Sequence, residues 1–442
     1  MEKNPTTKQP NAQQTLFGIL FALSLAHCLN DTMQSLISAI YPLLKENLAL
    51  SFAEIGAITL TYQISASVIQ PICGYIFDRK PNAWFLPFGL TFTMLGLLMI
   101  SVSGSLVMLF AAVFFAGIGS SVLHPEASRL TSMAAGGKRG LAQSIFQVGG
   151  SFGYSLGPLL AAIFVTPYGQ GHVAIFSVCA LVAIVGLMPV SRWYAAKLAR
   201  EKAASQAASQ VAAQAAAEPA EADSSAGGSN ASQTSSAIQS GVSQTKQKPL
   251  PRRLVWTILA ILIFLVFTKN AYTISISNYY TFFLIQKFGL SVESAQYMLF
   301  AFLLSAALGT LLGGPIGDRI GRRLVIWWSI LGAAPFALIM PYANLTWTFI
   351  LSIVIGFIMS SAFSAILVYA QELFPKRVGM VSGLFFGFAF GFAGIMSAVF
   401  GNAADVFGIE SVYKIIAYVP LLGIVAYFLP RVRTLQAMKS EK

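Results

Sequence analysis

The chain consists largely of apolar stretches of about 20–28 residues, separated by short runs that hold most of its charged residues. An α-helix of this length, rising about 1.5 Å per residue, crosses the hydrocarbon core of a bilayer. Only 10% of the residues are charged, whereas soluble domains carry about 25%. The pattern therefore predicts a polytopic membrane protein.

The apolar stretches divide into twelve predicted spans. All are predicted to be α-helical, because open strands leave backbone groups unsatisfied in lipid and a barrel would show short alternating segments. The first six spans are predicted at residues 16–43, 53–77, 83–103, 106–128, 140–166 and 172–193. The other six are predicted at residues 254–285, 292–317, 324–342, 346–373, 378–402 and 412–430. The predicted fold class is all-α.

Residues 195–253 interrupt this pattern. They are rich in Ala, Ser, Gln and Gly and contain no aromatic side chain, so they cannot bury enough apolar area to offset the entropy of ordering. We predict a flexible linker, with a short helix favoured at its Ala-rich beginning. The predicted domains are a tail (1–15), a six-helix bundle (16–194), the linker (195–253), a second six-helix bundle (254–430) and a tail (431–442).

Basic residues indicate the orientation. Most of them fall in alternate loops on the side of the termini, and cytoplasmic loops carry an excess of Lys and Arg. The opposite loops contain only Lys45, Lys287 and Lys414. We therefore predict that both termini and the linker are cytoplasmic. The net charge of +12 has the same explanation and requires no nucleic-acid partner.

The two halves of the sequence repeat each other. The loop after the second span reads Gly74-x-x-x-Asp78-Arg79, and the loop after the eighth reads Gly314-x-x-x-Asp318-Arg319-x-Gly321-Arg322-Arg323, about 240 residues later. Lys138-Arg139-Gly140 returns as Lys376-Arg377-Val378-Gly379 at nearly the same separation. Internal repeats of this kind are typical of transporters.

These loops resemble the signature of the major facilitator superfamily, and Gly153-Tyr-Ser-Leu-Gly157-Pro158 resembles the antiporter motif of its drug exporters. Four longer strings resemble the members that confer resistance to fosmidomycin, a small phosphonate antibiotic. They are SLAHCLNDTMQSLISAIYPLL, SSVLHPEASR, GLAQSIFQVGGSFGYSLGPLLAA and YAQELFPKRVGMVSGLFFGFAFG. The resemblance implies two pseudo-symmetric halves around a central cavity, in the bacterial inner membrane. One departure is that AAVFFA precedes Gly117, where many drug exporters carry an Arg.

Ionisable residues at membrane depth are costly and suggest function. His27, Asn30 and Asp31 share one helix face, and His124 and Glu126 flank Pro125 near the end of the fourth span. We predict proton coupling by Asp31, His27, His124 and Glu126. The alternatives are a buried polar cluster that fastens the first span to a neighbour, and a helix-end ion pair of Glu126 with Arg129.

Lys269 lies deep in the seventh span and follows Asp31 by nearly the repeat separation. In the superfamily fold the two would face one another across the cavity, where Lys269 would hold an anionic substrate group or neutralise Asp31. A plain salt bridge is the alternative. The other predicted substrate-binding residues are polar, and each is equally compatible with helix packing; they are Asn30, Gln143, Gln147, Tyr272 and Tyr279.

The resemblance implies a gating role for the repeated loops, with Asp78, Arg79, Asp318, Arg319, Arg322 and Arg323. The sequence contains no Walker motif, metal-ligand cluster or nucleophile constellation, so we predict neither an ATP-driven pump nor an enzyme, and no cofactor or metal. The prediction is a monomeric, proton-coupled exporter of small drugs that works by alternating access. The alternatives are a proton-coupled importer of a small anionic metabolite and a transport-dead sensor or scaffold.

Overall fold

The computed structural model describes residues 15–136, 139–217, 251–374 and 378–430. Within these residues the regular secondary structure is helical throughout. The predicted all-α fold class is therefore confirmed. The two predicted tails fall almost wholly outside the described residues, as do residues 218–250 of the predicted linker.

Seven α-helices precede residue 218. They are α1 (Phe17–Ala39), α2 (Tyr41–Leu48), α3 (Phe52–Arg79), α4 (Phe85–Ser101), α5 (Leu106–Ala134), α6 (Arg139–Leu160) and α7 (Ser177–Ala217). The helix α6, which contains Pro158 near its end, continues from Leu160 into a short π-helical segment, Ala161–Val165. A 3₁₀ segment, Gln170–Phe176, leads into α7. The helix α7 continues to Ala217, so the Ala-rich beginning of the predicted linker is helical.

Seven further α-helices follow residue 250. They are α8 (Arg252–Phe288), α9 (Val292–Ile320), α10 (Arg322–Ile330), α11 (Ala334–Ile339), α12 (Leu345–Leu373), α13 (Val378–Phe407) and α14 (Ile409–Ile416). Two 3₁₀ turns, Leu331–Ala333 and Met340–Tyr342, flank α11, and a 3₁₀ segment, Val419–Phe428, ends the described chain. We refer to α1–α7 as the N-terminal helices and to α8–α14 as the C-terminal helices.

Ten helical segments of the described chain are long and apolar enough to cross a membrane. They coincide with ten of the twelve predicted spans. The remaining two predicted spans coincide with α1 and α4. The helix α4 is apolar but only 17 residues long, and α1 carries the polar residues His27, Asn30 and Asp31 in its middle.

Local sequence signals account for several helix boundaries. Ser51 and Glu54 form a capping box at the start of α3. The Asn344 side chain accepts a hydrogen bond from the backbone N–H of Trp347 at the start of α12. Gly321 separates α9 from α10 with φ of +96°, a conformation that other residues rarely adopt. The last residues of the repeated loop motif therefore begin a new helix, α10.

Glycines allow the closest helix contacts. In α6, Gly149, Gly153 and Gly157 lie directly against the backbone or side chains of α1, where a Cβ atom would overlap them. Between the two groups of helices, Gly56 of α3 lies against the Ser397 and Ala398 backbone of α13. The α1–α6 and α3–α13 pairs are therefore packed backbone to backbone.

Hydrogen bonds join the two groups of helices at one end, which we call the distal end; it holds residues 40–52, between α1 and α3. Asp405, near the end of α13, accepts hydrogen bonds from the backbone N–H groups of Phe52 and Ala53, at 2.8 and 2.6 Å. Gln296 of α9 donates to the Ala39 carbonyl at 2.8 Å. The N-terminal and C-terminal helices are thus fastened together at the distal end.

Candidate functional site

Asp31 lies between two histidines in the middle of the helices. Its Oδ2 atom is 3.3 Å from Nε2 of His27, one turn earlier on α1, and its Oδ1 atom is 3.5 Å from Nε2 of His124 on α5. The side chain of Asn30 donates a hydrogen bond to Oδ1 at 3.1 Å. The Asp31 side chain is 14% exposed. We call Asp31, His27 and His124 the imidazole–carboxylate cluster.

The helix α6 fixes the position of His27. Its Nδ1 atom lies 2.8 Å from the carbonyl oxygen of Phe146, and the Phe146 ring stacks on the imidazole with a centroid separation of 4.1 Å. Gly150, one turn further along α6, lies against the Cε1, Nε2 and Nδ1 atoms of the ring, where a Cβ atom would overlap them. The imidazole therefore occupies a slot that two successive turns of α6 shape.

His124 is held by its own helix. Its Nδ1 atom lies 2.8 Å from the carbonyl oxygen of Ser120, one turn earlier. Because a carbonyl oxygen only accepts, the proton in this bond belongs to the imidazole Nδ1 atom. The same holds for His27 and Phe146. Both rings therefore direct Nε2 toward Asp31.

The nitrogen and oxygen atoms of the cluster lie within 4.8 Å of one another, a spacing that a metal ion would also accept. Hydrogen bonds from the two Nε2 atoms to the Asp31 carboxylate account for the nitrogen–oxygen distances of 3.3 and 3.5 Å without a metal. We assign no metal ion to the cluster.

Glu126, a predicted coupling residue, lies outside the cluster. Its carboxylate accepts two hydrogen bonds from Arg129, at 2.9 and 2.6 Å, and Arg129 also donates to the hydroxyl group of Tyr194 on α7 at 2.6 Å. The Glu126 side chain is 1% exposed. The structure therefore favours the alternative that the sequence left open, an ion pair that joins α5 to α7.

Lys269 of α8 does not meet Asp31. The ion pairs formed by the described residues do not include Lys269, and its Nζ atom lies 5.4 Å from the ring centroid of Phe363 on α12. The Nε2 atoms of the two histidines already contact both oxygens of the Asp31 carboxylate. The expected Asp31–Lys269 pair is therefore absent from this structure, and the Lys269 ammonium has an aromatic partner instead.

The other predicted substrate residues differ in their surroundings. Gln143 donates to the Ser128 carbonyl and to Ser132, which fastens α6 to α5. Tyr279 donates to the Ser397 carbonyl at 2.7 Å. Gln147 is exposed. The hydroxyl group of Tyr272 and the oxygen of the Asn30 amide are buried, and neither has a hydrogen-bond partner among the described residues. Gln143 and Tyr279 are thus occupied by helix packing, whereas Tyr272 and Asn30 have unused hydrogen-bonding capacity.

The predicted gating residues lie at the end opposite the distal end, which we call the proximal end. The Arg79 guanidinium lies 4.1 Å from the ring centroid of Tyr75. Arg323 donates to the Tyr427 carbonyl at 2.7 Å. Arg319 is exposed and Arg322 is half-buried. The side chains of Asp78 and Asp318 lie outside the described residues.

Sequence reasoning missed Phe146, Gly150 and Phe390. The Phe390 ring of α13 lies 6.5 Å from the His124 ring, centroid to centroid, so the cluster reaches the C-terminal helices. The paired glycines after Phe146 in the string SIFQVGG were the available signal, because adjacent glycines permit a close approach of another side chain.

Comparison with known proteins gives a consistent answer. A model of the Major Facilitator Superfamily matches residues 23–291 and 259–442. The Fosmidomycin resistance protein of Escherichia coli (strain K12) is 52% identical over 417 residues, which cover 94% of this chain and 94% of that protein. The uncharacterized MFS-type transporter YfnC of Bacillus subtilis (strain 168) is 36% identical over 429 residues, or 97% of this chain and 96% of that protein.

Solved structures share the fold at low sequence identity. A bacterial homolog of the human lysosomal transporter Spinster, in an inward-facing and occupied conformation, has a TM-score of 0.68 at 14% identity and covers 95% of this chain and 96% of that chain. The nucleoside transporter NupG has a TM-score of 0.65 at 14% identity, over 96% of this chain and 100% of that chain. The chain is therefore a multi-pass membrane transporter, not an enzyme, and belongs to the major facilitator superfamily.

Proposed function

We propose that this transporter exports small drugs such as fosmidomycin out of the bacterial cell in exchange for protons. The observation that carries the proposal is the imidazole–carboxylate cluster, because histidine is the side chain that changes charge near neutral pH. A buried carboxylate at membrane depth is energetically costly, and ionisable residues that are retained there usually mark a functional site. The 52% identity to a protein named for fosmidomycin resistance supports the substrate.

The proposed architecture has twelve transmembrane helices in two six-helix halves, with both termini and a flexible linker in the cytoplasm. The ten qualifying segments, together with α1 and α4, support this number. The basic residues of the proximal loops support the orientation. The distal end then faces outward, and its inter-helix hydrogen bonds support a conformation closed to the outside.

In the proposed cycle the substrate enters from the cytoplasm into the space between the cluster and Lys269. Within the described part of the chain the Lys269 ammonium pairs with no carboxylate, which favours an anion, and the phosphonate of fosmidomycin is one. Substrate binding displaces protons from the cluster toward the cytoplasm. Opening of the distal end then releases the substrate outside, and protons from outside refill the cluster before the transporter returns. This is alternating access in which protons and substrate bias the same equilibrium.

In this proposal the proximal loops with Asp78, Arg79, Asp318, Arg319, Arg322 and Arg323 act as a cytoplasmic gate. They lie at the ends of α3 and α9 and the beginning of α10, far along the helices from the cluster. Their substitution should therefore change the rate of turnover more than the affinity for substrate.

Transport by the purified protein in proteoliposomes tests the proposal. An imposed pH gradient, acidic on the side of the distal end, should drive fosmidomycin toward that side against its own gradient. Accumulation in the opposite direction would indicate an importer. Normal membrane insertion with no transport under any gradient would indicate a sensor or scaffold. Drug susceptibility of cells with and without the gene gives the direction independently.

A further inference from the structure

The two histidines of the cluster have the same tautomeric constraint. The Nδ1 atom of each donates to a backbone carbonyl, that of Phe146 for His27 and that of Ser120 for His124, both at 2.8 Å. Each Nε2 atom then faces one oxygen of Asp31, at 3.3 and 3.5 Å. An unprotonated Nε2 atom would direct its lone pair at a carboxylate oxygen, which is repulsive.

The remaining contact of the carboxylate gives the protonation state of Asp31. Its Oδ1 atom also accepts a hydrogen bond from the Asn30 amide. A carboxylate that receives donors on both oxygens is favoured in its ionised form. The geometry points to a site that holds two exchangeable protons, one on Nε2 of His27 and one on Nε2 of His124, around an ionised Asp31. This inference rests on the proposed proton exchange and adds its stoichiometry.

The ionisable side chains on neighbouring helices do not change the assignment of two protons to the imidazoles. Three weakly acidic side chains interact electrostatically with Asp31: those of Tyr62 on α3, Tyr154 on α6 and Cys28 on α1. Such groups are neutral near pH 7. Glu126 and Arg129 compensate one another on α5. The helix α4 contains no ionisable side chain.

Of the other helices, α7 carries Cys179 and Tyr194, and its first charged side chain, Arg192, is exposed. The ionisable residues of α2 lie at the distal end. On the C-terminal side, α8 carries Lys269 and Tyr272, and α13 presents the Phe390 ring. Of Cys179, Tyr194, Lys269 and Tyr272, only Lys269 is charged near pH 7. In the described chain, Asp31 is therefore the carboxylate with which the two imidazoles pair.

The loaded cluster carries one net positive charge, from two imidazolium groups and one carboxylate. Loss of both protons leaves the cluster with one net negative charge. Each cycle that fills and empties the cluster would thus exchange two protons for one substrate, while the Lys269 ammonium supplies the positive charge that holds the anion when the cluster is empty.

Nitrogen-15 NMR of the histidines tests the protonation state directly. The chain contains three histidines, and the third, His172, lies in the distal 3₁₀ segment beside Tyr168. In the substrate-free protein, with EDTA present to remove metals, two imidazoles should be protonated on both nitrogens at neutral pH. His27→Gln and His124→Gln should each remove one of these signals, and His172→Gln should remove neither. A neutral Nδ1-protonated ring at either position throughout the pH range, or signals that EDTA alters, would overturn the inference.

Proton counting gives the stoichiometry. Protons moved per fosmidomycin are measured in proteoliposomes at equal pH on both sides, so that protonation of the substrate itself is common to all variants. Wild type and His172→Gln should move one proton more per substrate than His27→Gln or His124→Gln. A wild-type protein that moves a single proton contradicts the two-proton site and leaves the proposed function standing. A wild-type protein that transports fosmidomycin and moves none contradicts both.

Discussion

The carboxylate of Asp31 lies 3.3 Å from the Nε2 atom of His27, which is one helical turn earlier on α1. This contact, with the matching one to His124, balances the charge of Asp31 within the N-terminal helices. Lys269 is left with an aromatic neighbour and no carboxylate partner among the residues that the structure describes. The proposed proton site and the proposed anion-binding ammonium are thus separate groups on different sets of helices.

Gly150 should be essential for coupling, because a methyl group there would overlap the His27 ring. Gly150→Ala should displace the imidazole from Asp31 and reduce pH-driven transport by at least about tenfold, the effect of a loss of about 1.4 kcal/mol. Gly186→Ala is the matched control, since a Cβ atom at Gly186 has open space around it. Wild-type transport and pH dependence in Gly150→Ala would show that the position of His27 does not matter.

Lys269 should determine the affinity for anionic substrates. Lys269→Gln should raise the concentration of fosmidomycin needed for half-maximal transport about tenfold or more, because a hydrogen bond to a charged group contributes about 1.5–3 kcal/mol. Lys269→Arg should retain part of the affinity. Lys414→Gln, at an exposed position beside Tyr342, is the control. An unchanged affinity in Lys269→Gln would place the anion elsewhere.

Glu126 should contribute to stability more than to coupling. Glu126→Gln removes the carboxylate partner of the half-buried Arg129, and should lower the free energy of unfolding by about 1–3 kcal/mol after allowance for solvent near Arg129. The number of protons moved per substrate should not change. Thermal unfolding in detergent and proton counting separate the two effects. A stable Glu126→Gln protein that transports substrate without moving protons would show that Glu126 takes part in proton coupling.

The distal contacts should be broken in every transport cycle. In a variant without Cys28, Cys73 and Cys179, the pair Ala53→Cys and Asp405→Cys replaces one of these contacts. Oxidation should then stop transport, and a reductant should restore it. The pair Asn47→Cys and Gln170→Cys joins two N-terminal segments that already contact one another, so its oxidation should leave transport intact. Transport that continues through the Ala53–Asp405 cross-link would mean that this end stays closed.

The sequence predicts the helices well, because long apolar runs can only be helical in a bilayer. It also predicts that His27 and Asp31 share a face, since residues four apart are neighbours on a helix. It does not predict which neighbouring helix supplies the third member, because periodicity fixes neither helix rotation nor packing partners. His124 and Glu126 illustrate the limit: two residues apart, they point about 200° apart around α5, so His124 reaches Asp31 and Glu126 reaches Arg129.

The internal repeat has a similar limit. It relates Asp31 to Lys269 by position along equivalent helices, but equal depth does not produce a contact. The imidazoles of His27 and His124 contact the carboxylate instead, and Phe146 and Gly150 position the His27 ring for this contact. The resemblance to drug exporters identified the family, whereas the pairing of charges required the three-dimensional packing.

Transport by Asp31→Asn tests the central claim most directly. The variant keeps the size of the side chain but removes the charge that holds the two imidazoles, so it should still bind fosmidomycin and exchange it across the membrane at equal concentrations. In proteoliposomes with an imposed pH gradient, it should fail to accumulate fosmidomycin against its gradient, whereas wild type and His172→Gln should accumulate it. Accumulation by Asp31→Asn with the wild-type dependence on pH would contradict the assignment of Asp31 as the centre of proton coupling.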